Sequence, residues 1–277
     1  MPEYTIKCTP ELLGREILIR IRGGTFDQFC LSHRDEHRNV TVPQNIFQRC
    51  NAVPDQVRAT KTNLRICFEL GERNPTEIRP ASIVFILESP HKSEYCSCCF
   101  RPLRPLNNDA SFRKFAGKVI SKCYEIGQVQ DDPSAEHDIV LCNPIQYQTS
   151  LHHLRLDDCV CKPVRNNVFR NLINTPEFRS DFEMRVTRYA PFIIIDCSTK
   201  DISNTIPPIL RNTPFPRDVH GPTPEIFKAK HPSYWKSLET AMPIRLTHTP
   251  TTCWMYPVAR IKRGIGRRLG PACDSQQ

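Results

Sequence analysis

The sequence predicts a three-layer α/β fold on a central, mostly parallel four-stranded sheet, preceded by a small α+β or β-rich unit. Three observations predict it. Near-continuous apolar runs stand at 83–87, 139–142 and 192–196, and such runs suit strands buried on both faces. Apolar residues at helical spacing fill the intervals between them. Polar residues follow each run at once, at the strand end where open α/β sheets collect their ligands.

The elements follow in chain order. Positions 16–22 alternate apolar and polar and end in Gly23-Gly24, a strand followed by a turn. Positions 63–70 alternate as well. Strands of this kind keep one wet face, as in antiparallel sheet. Residues 1–78 are therefore expected to form a β-rich accessory unit. The polar stretch 71–80, with two prolines, predicts the boundary. An α/β domain is expected over 79–258. Its first strand, 83–87, leads to a helix carrying Phe112, Phe115, Ala116, Val119, Ile120 and Cys123 on one face, capped by Asp109 or Ser111. The second strand, 139–142, leads to a helix marked by Val164, Val168, Leu172 and Ile173. The third, 192–196, leads to a short, proline-bent helix at 204–210. A weaker fourth strand, 226–230, ends just before His231. Strand–helix alternation with right-handed crossovers gives a parallel sheet. No internal repeat or low-complexity tract occurs.

Composition bounds the function. Lys and Arg outnumber Asp and Glu by 38 to 29, a net charge of +9, which favours a polyanion partner such as DNA. Apolar residues make up 39% of the chain, enough for a real core. No run approaches the roughly 18 consecutive apolar residues of a membrane span. The N-terminus shows no basic segment followed by an apolar one, so a cytoplasmic protein is expected, with no membrane association and no obligate protein partner evident. The basic tail 259–277 holds Arg263 and Arg267 as candidate phosphate contacts, against the alternative of a solvated terminus.

The 14 cysteines read as reduced thiols. Cys96, Cys98 and Cys99, and then Cys159 and Cys161, sit closer together than the paired C-x(2–4)-C of structural zinc sites. No metal and no other cofactor is expected, with zinc or an iron–sulfur cluster as the alternative. Cys67, Cys142 and Cys197 lie in apolar runs and are expected in the core.

The strand ends carry the chemistry. Glu88, Ser89 and His91 follow the first strand. Asn143-Pro144, with Gln146 and Tyr147, follows the second. Asp196, Ser198 and Thr199 follow the third, and His231 and Ser233 the fourth. An amide presents both donor and acceptor, so Asn143 can read the edge of a planar heterocycle. His231 can stabilise negative charge on a departing base. Glu88 can orient a water or stabilise a cationic sugar. Tyr147, Phe100, Tyr234 and Trp235 offer flat faces for stacking, and Lys92 a cation for phosphate. Lys92 as a Schiff-base nucleophile is the lesser alternative.

These motifs resemble those of the uracil-DNA glycosylase superfamily. Leu87-Glu88-Ser89-Pro90-His91 is similar to the superfamily's G-E-x-P-G form, with Leu in place of the first Gly. Asn143 stands in the place of the base-reading Asn. His231-Pro232-Ser233 matches the H-P-S motif, whose His hydrogen-bonds the base carbonyl oxygen. Tyr234 and Trp235 stand in the loop that carries the wedge filling the gap left by the flipped nucleotide. The resemblance covers about residues 80–240. It implies a monofunctional DNA glycosylase that flips a base from DNA and hydrolyses its N-glycosidic bond, leaving an abasic site. Catalysis would then rest on Glu88, Asn143 and His231, and base binding on Ser89, His91, Tyr147 and Phe100. Lys92, Ser233, Tyr234, Trp235, Arg263 and Arg267 would contact DNA. Two departures shape the expectation. Ser89 stands where many members have the water-activating Asp, and His91 where uracil-specific members have a thymine-blocking Tyr. They point to another target base. Divergent members of the superfamily act in anti-phage defence on glucosylated hydroxymethylcytosine, and such a modified base is the expected substrate.

Two alternatives stay open. One is a glycosylase-fold DNA-binding protein without activity. The other is a metal-dependent nuclease, for which Glu88, Asp138 and Asp196 would supply carboxylates. No P-loop, G-x-S-x-G or H-E-x-x-H motif occurs.

Overall fold

The computed structural model describes residues 3–7, 16–22, 25–35, 40–62, 65–73, 81–99, 101–106, 110–129, 135–149, 158–199, 202, 204–215 and 223–246. Strands β1 (Glu3–Lys7), β2 (Glu16–Arg22), β3 (Thr25–Asp35) and β4 (Val40–Asn51) form a four-stranded antiparallel sheet in sequence order. Arg22 pairs with Thr25, a two-residue connection that the glycine pair predicts.

A second, seven-stranded sheet follows. Its strands are β5 (Gln56–Thr62), β6 (Arg65–Arg73), β7 (Ser82–Ile86), β8 (Glu136–Cys142), β9 (Pro191–Asp196), β10 (Glu225–Lys228) and β11 (Ile244–Arg245). Their spatial order is β11-β10-β9-β7-β8-β5-β6. The four expected strands lie side by side and parallel as β10-β9-β7-β8. The expectation of a four-stranded sheet is corrected: β5, β6 and β11 join antiparallel, so the sheet is mixed. The alternating segment expected in the accessory unit becomes β6, hydrogen-bonded through β5 to the central sheet. Strand β5 leaves no apolar signature because its letters are polar. Gln56, Arg58 and Lys61 are buried along with Val57 and Ala59, whereas periodicity arguments expect such side chains in water.

Among the described residues, five helices complete the layers: α1 (Ala110–Gly127), α2 (Asp158–Ile173), α3 (Pro176–Arg188), α4 (Ile206–Asn212) and α5 (Leu238–Ala241). Alternate strand residues face opposite sides. Val84, Ile86, Val140 and Ile194 pack under Phe169, Leu172, Phe182 and Ile206 of α2, α3 and α4. Ile83, Phe85, Leu141 and Ile195 pack against Phe112, Ala116 and Ile120 of α1. Each such side chain contributes about 1.5–3 kcal/mol on burial, so this division of strand residues drives the three-layer arrangement. Helix α3 is an addition to the expected elements. Among its thirteen residues the apolar ones that are buried are Phe178, Phe182 and Val186, a narrow stripe in a charged segment. Helix α4 carries Pro207 in its first turn, where the missing N–H costs nothing.

Two side chains depart from expectation. Trp235 is 1% exposed rather than at a DNA surface. It stacks on Phe112 at 6.1 Å and donates its indole N–H to the Lys230 carbonyl at 2.7 Å. Cys67 is exposed, because β6 is an edge strand. Among the described residues, no helix is long and apolar enough to cross a membrane.

Strand order positions the site. From β7 the chain crosses to β8 on one side, then to β9 on the other. The reversal opens a crevice beyond the carboxyl ends of β7 and β9.

Candidate functional site

A cavity of about 500 Å3 lies at that crevice. Glu88, Ser89 and His91 reach it from the end of β7, and Asn143 from β8. Thr199 reaches it after β9, and His231, Ser233 and Tyr234 after β10. Residues singled out at four separate strand ends thus meet in one place. Tyr147 does not: it packs edge-on against Phe178 of α3 at 6.3 Å, off the cavity wall. Phe100, Arg263 and Arg267 lie outside the described residues, as does the cap position Asp109. Lys92 opens the 3-10 turn Lys92–Glu94, and its side chain is not among those described.

Glu88 is buried and held at both oxygens. Oε1 accepts from the Thr199 backbone N–H, and Oε2 faces Arg165 Nη1 of α2 at 3.3 Å. Thr199 is itself placed by a neighbouring ion pair. Lys228 Nζ bonds Asp196 Oδ2 at 2.9 Å and the Ser198 carbonyl at 2.6 Å, while the Ser198 N–H bonds Asp196 Oδ1 at 2.9 Å. Burial pushes the Asp196 carboxyl above its usual value even with Lys228 beside it.

Asn143 is 1% exposed, and its main chain is gripped from both sides. Its N–H donates to Asp55 Oδ1 at 3.1 Å, and Arg185 Nη2 donates to its carbonyl at 3.2 Å and to that of Pro144 at 3.0 Å. Arg185 also bonds Asp55 through Nη1, and the Tyr189 hydroxyl donates to Asp55 Oδ2 at 2.7 Å. The backbone is fixed, yet both amide atoms of the Asn143 side chain are buried without a hydrogen-bond partner. Buried polar groups without partners are rare, and each calls for an explanation such as a ligand, an ordered water or a catalytic role.

His231 accepts the Ser233 backbone N–H at Nδ1, 3.3 Å away, with the Ser233 hydroxyl at 2.8 Å from the same nitrogen. In the neutral ring the proton therefore sits on Nε2. Burial lowers the imidazole pKa to about 4 despite Glu88, and Arg165, His91 and Lys228 add to the lowering. At neutral pH His231 is an uncharged Nε2–H donor. The same turn occurs at His91, where Ser93 donates its N–H to Nδ1 at 3.2 Å and places its hydroxyl 2.9 Å away. Both histidines open 3-10 turns on the walls of one cavity. Ser89 bonds the buried Thr149 hydroxyl at 2.8 Å, which ties the loops after β7 and β8 together.

Sequence reasoning missed Glu94, Arg165, Asp55 and Arg185. Glu94 lines the cavity, is 4% exposed and leaves Oε2 without a partner. Burial raises its carboxyl to about 8, so it is protonated at neutral pH. A signal existed: His-x-Ser occurs at both 91–93 and 231–233, which marks the 3-10 turn that Glu94 ends. Asp55 and Arg185 gave none, being distant in sequence from the motif they hold.

The candidate metal ligands divide. Cys96, Cys98 and Cys99 bring their sulfurs within 4.8 Å of one another. Cys96 and Cys99 are in fact at C-x2-C spacing, and the thiol of Cys98 with the backbone N–H groups of Cys99 and Cys98 lowers the Cys96 thiol to about 6. Three sulfurs form the group among the described residues, one short of a closed zinc or iron–sulfur site. Cys159 and Cys161 fall in the first turn of α2, with side chains not among those described. The carboxylates of the nuclease alternative do not converge. Asp138 lies near the start of β8, opposite the Ser82 end of β7, about 20 Å along the strands from Glu88.

No protein-family model, curated protein or solved structure matches this chain.

Proposed function

We propose that this chain is a DNA glycosylase that takes a flipped, modified nucleobase into the cavity between β7 and β9 and hydrolyses its N-glycosidic bond. One observation carries the reading. A buried amide with both atoms unpaired, Asn143, shares a cavity with an uncharged imidazole donor, His231, and a buried carboxylate, Glu88. Each suits one part of the reaction. The Asn143 amide offers a donor and an acceptor to a base edge. The C1′–N bond breaks with its electron pair passing to the base, and His231 Nε2–H bonds the base oxygen on which that charge gathers. The carboxylate of Glu88, on the same cavity, can stabilise a cationic sugar and steer water to C1′. Water supplies the hydroxyl to the sugar and a proton to the base. Flipping is needed because the bond is shielded within the stack. Tyr234, 57% exposed at the rim, is placed to fill the gap.

Duplexes carrying glucosylated 5-hydroxymethylcytosine, 5-hydroxymethylcytosine, uracil or ordinary bases, followed by cleavage at abasic sites, test the proposal. Release from at least one modified duplex is expected. Asn143→Ala and Glu88→Ala should lower it by about 10²–10³-fold while duplex binding persists. Binding without release from any duplex would leave the inactive DNA-binding alternative.

A further inference from the structure

We propose that a groove along α1 takes a single-stranded stretch of DNA leading away from the cavity, so that the preferred substrate carries its target nucleotide beside an unpaired flank. The inference rests on the glycosylase reading for the identity of its polymer. It concerns a surface that takes no part in the chemistry at Glu88, Asn143 and His231.

The groove, about 790 Å3, lies between α1, the edge strand β6 and α5. Lys61 of β5 lines it, as do Arg113, Lys114, Lys118 and Lys122 of α1. Among the described residues that line it, the one carboxylate is Glu125, which pairs with Lys122. Lys114, Lys118 and Lys122 recur every four residues, so they stand in a row on the helix. At a rise of 1.5 Å per residue the row is about 12 Å long.

Cations along a helix often do no more than keep a surface soluble. Three features set this row apart. The first is that its charges are held. Arg113 lies 4.9 Å over the Phe68 ring, Lys61 4.8 Å over Tyr124 and Lys114 5.2 Å over Phe115. A cation held on a ring face is restrained where a free side chain would sweep through solvent. Lys61 is moreover only 6% exposed.

The second feature is an apolar floor. Ile66 and Phe68 of β6 form it, together with Met242 and with Leu238, which is 41% exposed. Cations for phosphates beside apolar and aromatic surface for bases is the pairing that single-strand binders use. Gly117 gives depth at mid-length, since a Cβ there would stand 3.3 Å from Ile66 Cδ1.

The third feature is continuity with the cavity. Ser111 lines the cavity and Lys114, one turn further along α1, lines the groove. Tyr234 stands at the cavity and Leu238, four residues on, lines the groove. Helix α1 packs against both the Pro232–Tyr234 turn and α5. From there the groove runs back along the sheet to Lys61, which pairs with His137 near the start of β8.

That direction decides the form of the DNA. The cavity opens beyond the carboxyl ends of the parallel strands, whereas the groove leads towards their amino ends. A duplex has a persistence length of about 50 nm and cannot turn from one to the other over so short a path. An unpaired strand bends freely. A strand leaving the flipped nucleotide therefore enters the groove where it is single.

Fluorescence anisotropy tests the inference with a blunt, unmodified duplex and with the same duplex bearing an unpaired tail of about ten thymidines at a 5′ or a 3′ end. The wild-type protein should bind one tailed form at least about tenfold more tightly than the blunt one. Lys114→Ala/Lys118→Ala/Lys122→Ala should abolish that advantage with the melting temperature kept. It should also reduce the slope of log affinity against log salt by about 2, from roughly 0.7 for each of three phosphate contacts. Arg170→Ala/Arg188→Ala/Arg211→Ala removes the same charge from α2, α3 and α4, on the opposite face of the sheet, and should keep the advantage. No wild-type preference for a tail, or equal loss in the two triple variants, would overturn the inference. So would displacement of the tailed probe by polyglutamate as readily as by oligothymidine, which would point to an acidic protein partner. Base release is read separately: release without a tail preference keeps the glycosylase reading and sinks the groove, and a tail preference without release does the reverse.

Discussion

Two neighbouring aromatic residues show how far single letters can mislead. Tyr234 and Trp235 follow the His231-Pro232-Ser233 motif, and both read as DNA-facing. The 3-10 turn separates them: Tyr234 points outward, while Trp235 turns into the layer under α1. Substitution should expose the split. Trp235→Ala is expected to cost about 3–5 kcal/mol in chemical denaturation, the usual range for removing a buried aromatic. Tyr234→Ala should leave stability within about 0.5 kcal/mol and reduce base release instead. A destabilised Tyr234→Ala with normal release would contradict this placement. Glu88 and Asn143 were legible because each ends an apolar run in a polar letter, and His231 because it opens the His-Pro-Ser motif. It could not reveal Glu94, a carboxylate in a polar, cysteine-rich loop. Glu94 is notable for its burial, and burial is a property of the fold.

At the scale of elements, the strands of the parallel core stood out, since a short continuous apolar run bounded by polar residues suits a strand covered on both faces. Helices α1 and α2 followed from their stripes. The parts that brace the site were hidden. Asp55 lies just before β5, Arg185 and Tyr189 at the end of α3, and together they hold the turn at Asn143-Pro144. Pairing at such sequence distance leaves no periodic trace. Breaking one partner of a buried pair leaves the other charge uncompensated, so Arg185→Ala is expected to cost about 3–5 kcal/mol. Tyr189→Phe removes one hydrogen bond to Asp55 and should cost about 1–2 kcal/mol. Urea titrations of the two variants check both values, and indistinguishable midpoints would show that the clamp does not act as a unit. Within the first 78 residues, β1–β4 form their own sheet, whereas β5, β6 and Asp55 belong to the central sheet and its site.

The whole molecule adds charge and topology. A net charge of +9 favours polyanion partners in general, and under the proposed function duplex DNA is the one to test. Binding to an unmodified duplex should weaken by at least about tenfold between 50 and 200 mM salt, measured by fluorescence anisotropy, and a flat response would argue against phosphate contacts. Topology sets a different condition. Asp55, Glu88, Asn143, Thr199 and His231 come from five separate stretches of chain, and the last of them follows β10, an interior strand placed late in the sequence. Contacts this distant close late in folding, after the entropy of long loops has been overcome. On the ribosome, no partial chain that stops short of residue 231 holds a complete cavity. A nascent or half-folded copy has no assembled cavity, so under the proposed function the same wiring that slows folding would reserve base release for the finished chain.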